Sequence, residues 1–218
     1  TTYYVSTVEP SGPDSLMGLS NHGSVFNGNV RGYYFIAPTD FVITALRVPT
    51  EASTGSQNIA VLLFDNNTPP PLFSGTTNAF QTLGYWNNYT GPDTISVCFP
   101  IDSGQVVGIY GNRADANSYA SAPYNTMIDG LPVTLTRSGM QLNLSSNPMS
   151  NVFSEAGGSI SRVEMYYTTS LDTTGSTAVD VMVPVSGASS ASVGACMGET
   201  LMLNGNPYTS DTTVVDSL

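Results

Sequence analysis

Residues 31–50 read R-G-Y-Y-F-I-A-P-T-D-F-V-I-T-A-L-R-V-P-T, and the pattern they set decides the fold. Two β-rich runs, 33–37 and 41–48, are hinged by the turn Pro38-Thr39-Asp40. Strict alternation in the second run puts Val42, Thr44, Leu46 and Val48 on one face and Phe41, Ile43, Ala45 and Arg47 on the other. Apolar groups on both faces mark a strand covered on both sides. The stretch is expected to sit at the centre of an all-β core.

The flanking sequence repeats this grammar. N-I-A-V-L-L-F at 58–64 is apolar on both faces, and Pro69-Pro70-Pro71 closes it because proline cannot join a ladder. Residues 94–100 alternate cleanly and meet 105–110 through Asp102-Ser103-Gly104, which predicts a hairpin. Segments 15–29, 72–92 and 111–127 read as loops, the middle one carrying Tyr85, Trp86 and Tyr89. Further strands are predicted at 132–136, 141–144 and 160–168. About eight to ten strands before Ser170 predict a jelly-roll or Ig-like β-sandwich.

Composition fixes the surface and excludes several partners. Charged residues are 10% of the 218, far below the usual quarter or so, so Ser, Thr, Asn and Gly must supply the polar exterior. All five basic residues are arginines (Arg31, Arg47, Arg113, Arg137 and Arg162), and the net charge is −11. That balance repels phosphate backbones and anionic lipid, so no nucleic acid is expected as a partner. Lysine is absent, which excludes Schiff-base chemistry. No apolar run approaches the roughly 20 residues of a membrane span, so no membrane insertion is expected. The start, T-T-Y-Y-V-S, carries no leader and reads as a processed terminus. Together these traits predict an extracellular protein.

Composition shifts after residue 170. The expected organisation is a β-sandwich at 1–170, a linker at 171–195 and a tail at 196–218. Within the linker, 178–185 alternates Val179, Val181, Val183 and Val185 against Asp180, Met182 and Pro184. Such a strand without a core of its own must dock, either on the first domain or on a sheet edge of a neighbouring subunit.

Candidate chemistry is thin. His22 is the chain's one histidine, in an Asn/Gly-rich segment without a G-x-S-x-G elbow, and reads as solvated or structural. Most aspartates stand in turns, where they cap backbone amides. Glu155 and Glu164 lie near strand starts and are the only carboxylates placed for glycosidase work. No cofactor is expected. Calcium is the single candidate metal, through Asp65-Asn66-Asn67 and Asp115-Ala116-Asn117, neither with EF-hand spacing. Tyr85, Trp86 and Tyr89 could stack on a sugar ring, against the plainer reading of a loop pinned by its aromatics. Cys98 reads as a buried free thiol, with a bond to Cys196 as the alternative.

Five of the aspartates precede Ser or Thr and then an aliphatic residue or Thr, making Ser15, Thr94, Thr173, Thr212 and Ser217 candidate acceptors. The pattern is similar to the O-glycosylation sequon of exported Bacteroidetes proteins. Asn66, Asn88 and Asn143 lie in N-x-S/T triplets, which count only in a host with N-glycosylation.

Residues 31–50, with G-G-S-I-S-R-V-E-M-Y-Y-T-T at 157–169, resemble an uncharacterised β-sandwich domain of exported bacterial proteins. C-M-G-E-T-L-M-L-N-G-N-P-Y-T-S-D-T-T at 196–213 resembles the opening of Ig-like repeats in Bacteroidetes surface proteins, often cargo of type IX secretion. The resemblance implies extracellular placement and a modular parent, and it transfers no catalytic residue. The expectation is therefore a non-catalytic structural or adhesive module of a cell-surface protein or filament. Its partners would be copies of itself or neighbouring surface domains, joined by strand addition. The alternative is a carbohydrate-binding module whose aromatic loop takes glycans.

Overall fold

The computed structural model describes residues 14–121 and 124–170 in full, together with the strand pairing of six short segments nearer the termini. The chain divides into two compact units: residues 13–169, and residues 1–12 together with 170–218.

The smaller unit joins the two ends of the sequence. Strand β1 (Thr2–Val5) pairs antiparallel with a later strand, Thr177–Asp180. Likewise β2 (Glu9–Pro10) pairs with Leu171–Asp172. A third ladder joins Leu201–Leu203 to Asn206–Tyr208. Residues 2–5 and 9–10, inside the range expected for the sandwich, thus pair with the C-terminal segments.

The larger unit is an antiparallel β-sandwich. Its strands are β3 (Ser15–Leu16), β4 (His22–Asn27), β5 (Arg31–Ile36), β6 (Phe41–Arg47), β7 (Gln57–Phe64), β8 (Phe80–Tyr89), β9 (Ile95–Ile101), β10 (Val106–Arg113), β11 (Ala116–Ala120), β12 (Asn125–Ile128), β13 (Leu131–Thr134), β14 (Thr136–Gly139), β15 (Phe153–Ser154), β16 (Ile160–Ser161) and β17 (Glu164–Thr168). The large sheet runs β8-β7-β10-β5-β14-β15, and β11 extends it with β4 and β16. The small sheet runs β3-β17-β6-β9, and β12 and β13 form a separate hairpin. Among the described residues no helix is long and apolar enough to cross a membrane.

Alternation explains why the large sheet carries two cores. Tyr33, Phe35, Ile59, Val61, Val107 and Ile109 face the small sheet and pack on Phe41, Ile43, Leu46, Val48, Met165 and Tyr167. Their neighbours Ala60, Leu62, Phe64, Val106 and Tyr110 face the other way, where Met140, Leu144 and Val152 cover them. The run at 58–64 is central and buried on both faces, as its pattern predicts.

The two runs of the opening stretch lie in different sheets: β5 in the large one, β6 in the small one. The predicted hairpin of 94–100 with 105–110 is divided the same way, since β9 pairs with β6 while β10 pairs with β5 and β7. These turns are corners where the chain changes sheet, and they are bonded together. Asp40 Oδ1 accepts the Ser103 amide at 2.7 Å, and the Ala37 amide reaches the Gln105 carbonyl at 2.9 Å.

The faces of β6 also differ from strict alternation. Ile43 pairs with Tyr167 and Ala45 with Tyr166, leaving Thr44 as an extra residue on β6. This bulge turns Leu46 and Val48 to the same side as Phe41 and Ile43.

Cys98 is not a free thiol. It is half-buried and disulfide-bonded, on the side of β9 opposite the core-facing Val97 and Phe99. Cys196, the chain's other cysteine, lies outside the described residues.

Candidate functional site

Segment 80–89 is a ten-residue strand rather than part of a loop. Two register shifts against β7, and the polar pair Asn87-Asn88, hide its alternation in the sequence. The strand separates the three candidate aromatics. Tyr85 packs against the core on the outer side of the large sheet, whereas Trp86 and Tyr89 pack against the core between the sheets. Trp86 lies 6.3 Å from Phe99 on β9, ring centre to ring centre. Tyr85 donates its hydroxyl to the carbonyls of Leu144 at 2.5 Å and Asn147 at 3.0 Å, and burial raises its pKa. The three rings therefore form no common stacking platform.

The arginines are all absorbed by the scaffold. At one site Asp93 accepts from Arg47 at 2.5 Å and also from Arg113, while Arg47 reaches Glu164 at 2.8 Å. Arg113 also donates to the carbonyls of Val48 at 2.7 Å and Gly55 at 3.0 Å. Gln57 completes the network, accepting the Val48 amide at 2.7 Å and donating to the Asp93 carbonyl at 2.8 Å. The hydrogen bond from Arg47, followed by that from Arg113, holds the Asp93 carboxyl below the usual carboxylate range.

A second cluster centres on Arg31. Its guanidinium donates to the carbonyls of Val30 and Met140, both at 3.0 Å, and lies over the rings of Phe26 and Phe153. Burial lowers its pKa. Glu155 pairs with Arg137 and lies 3.8 Å from Arg31. Arg162 reaches Glu51 at 2.5 Å; burial opposes the charge on Glu51, but the arginine together with a backbone hydrogen bond keeps the carboxyl below its ordinary value.

The two carboxylates singled out for glycosidase work are engaged in these networks. Glu155 and Glu164 are both bound to arginines. His22 lies on β4, not in a loop, and its Nδ1 meets the Ser118 hydroxyl at 2.9 Å. Asp65–Asn67 forms an exposed 3-10 turn. Asn117 is satisfied by backbone groups of Phe26, Asn29 and Arg31. Among the described residues no group of three His, Cys, Asp or Glu side chains is placed to hold a metal ion.

Two candidate acceptors, Ser15 and Thr94, are exposed. Thr173, Thr212 and Ser217 lie outside the described residues, as do Val181, Val183 and Val185. Val179 stands opposite Tyr3 in the ladder between the two ends of the chain. No protein-family model matches the chain, and no curated protein or solved structure does either.

Proposed function

We propose that the chain is a non-catalytic extracellular module, structural or adhesive, of a bacterial cell-surface protein or filament. The observation that carries this reading is the deployment of its charges. Every arginine is paired with a carboxylate inside the scaffold, so the protein's strong electrostatics join strands to one another. The disulfide at Cys98 supports an oxidising, extracytoplasmic setting.

Assembly by strand addition fits the edges. Among the described residues β8 pairs only with β7, and β9 only with β6, so each offers one free ladder side. The ladder between Thr2–Val5 and Thr177–Asp180 supplies the joint. If the C-terminal segment is exchanged, the same pairing forms between copies, the low-cost route of strand swapping. Native mass spectrometry of the wild type and Val179→Pro tests this, because proline removes a ladder donor. Wild type should form multimers with concentration and the variant should stay monomeric. A wild type that is monomeric throughout, or a variant of equal oligomeric mass, removes the swap.

A further inference from the structure

On the outer side of the large sheet, beside Tyr85, segment 140–152 forms a surface hollow. It is open to solvent, has a volume of about 280 Å³, and is lined by Gln141, Leu142, Asn147, Pro148, Ser150 and Asn151. We propose that it binds a single neutral sugar residue.

The wall is tied to the scaffold from several sides. Segment 140–152 is irregular, but Met140, Leu144 and Val152 anchor it in the outer core. Val30 and Leu142 are joined by a 2.8 Å backbone bond, and Thr77 and Val152 by reciprocal bonds of 2.8 and 2.9 Å. Asn78 and Asn151 bond reciprocally, at 2.7 and 3.1 Å. Tyr85 and Asn88 reach over from β8 to the carbonyls of Leu144, Ser145 and Asn147. A site held this way loses little entropy on binding.

Its chemistry selects the ligand class. No lining residue is charged, and the chain's arginines are engaged elsewhere, so nothing compensates an anionic or cationic ligand. The remaining polar capacity is that of amides and a hydroxyl. Gln141 uses its Oε1 to accept from Asn29 at 2.5 Å, which leaves Nε2 for a ligand. Asn151 uses Oδ1 on Asn78, leaving its own Nδ2. Asn147 donates Nδ2 to the Asn143 carbonyl at 3.2 Å, leaving Oδ1 as an acceptor, and Ser150 both donates and accepts. Donors and acceptors interspersed on an uncharged wall match vicinal hydroxyls, and Leu142 and Pro148 offer apolar surface to the C–H face of a ring. The volume is just under the ~300 Å³ at which drug-sized sites begin, room for one ring rather than a chain. Tyr85 thus acts as a positioning residue for this wall.

This inference does not rest on strand exchange, since a monomer holds the same cavity. Saturation-transfer NMR on the full chain tests it, with the methyl glycosides of glucose, galactose, mannose and N-acetylglucosamine as probes and N-acetylneuraminic acid as the anionic control. At least one neutral glycoside should bind with an affinity on the order of millimolar, as expected of so small a ligand. Gln141→Ala and Ser150→Ala should each weaken it about three- to tenfold without shifting the melting temperature. Trp86→Ala should leave it unchanged. The proposal fails if no neutral glycoside shows transfer, if the anionic sugar binds equally well, or if Trp86→Ala abolishes binding while Gln141→Ala does not.

Discussion

Tyr33 on β5 donates its hydroxyl to the carbonyl of Val163, 2.6 Å away, joining the large sheet to the chain just before β17 of the small one. Both residues are fully buried, so the bond stands where water cannot replace it. Burial holds the phenol in its neutral, donating form by pushing its pKa well above the ordinary tyrosine value. Tyr33→Phe keeps the ring and strands the carbonyl. The expected loss is about 1–3 kcal/mol, the cost of an unpaired buried polar group. Urea unfolding should show a lower midpoint with an unchanged slope; an unchanged midpoint would remove the sheet-joining role.

Asp93 gives the fold an acid dependence. Its carboxyl lies below the ordinary range in the folded chain because Arg47 and Arg113 bond to it. A depressed carboxyl contributes stability that is present above the unfolded value, about 3.9 for aspartate, and is lost as pH falls through the folded value. The group is half-exposed, so solvent screens part of the effect. Asp93→Asn should melt below the wild type at neutral pH. The gap should start to narrow as pH falls below about 4 and close as it falls through the depressed folded value, where the wild type also loses the charge. Melting curves against pH check this, and a gap independent of pH would mean that shape rather than charge is at work.

How much was legible in the sequence depended on how many residues carried each signal. The doubly buried run at 58–64 needed only seven consecutive side chains, and the structure buries nearly all of them. The faces of β6 were not legible, because one extra residue at Thr44 inverts every position after it. The corners at 38–40 and 102–104 look like hairpin turns because local pattern reports strands but not which sheet receives them. Strand β8 was hidden by Gln81, Thr82, Gly84, Asn87 and Asn88, which break alternation at exposed positions and bulges. The amide-lined cavity had no sequence signal at all. Its supports come from Asn29, Asn78 and Tyr85, far from residues 141–151 in the chain.

The disulfide at Cys98 predicts a redox-dependent stability. Alkylation under denaturing conditions should leave Cys98 unlabelled before reduction and label it afterwards. Reduction, or Cys98→Ser, should cost about 2–5 kcal/mol, the usual range for removing a native disulfide. Thermal unfolding with and without reductant measures it. Labelling without reductant would return Cys98 to the status of a free thiol and weaken the extracellular reading.

Gly32 tests the packing of the stretch that organises the fold. It lies in β5 between Tyr110 of β10 and Ser138 of β14, with ladders on both sides. A methyl group at this position would lie 2.0 Å from the Ile109 carbonyl oxygen and 2.7 Å from the Tyr110 Cα. Both are backbone atoms of a central strand buried along its whole length, so neither can move aside without breaking the β5–β10 ladder. Only a residue without a side chain allows the two strands to approach so closely. Gly32→Ala should cost at least the upper end of the ~1–3 kcal/mol typical of overpacking, and the variant should unfold at a markedly lower temperature or fail to accumulate as soluble protein. Gly157→Ala is the matched control: its new methyl meets nothing within 4 Å, and stability should change by no more than about 0.5 kcal/mol. A tolerated alanine at position 32 would mean that β5 and β10 are spaced more widely than this register places them, and the doubly covered centre of the large sheet would have to be redrawn.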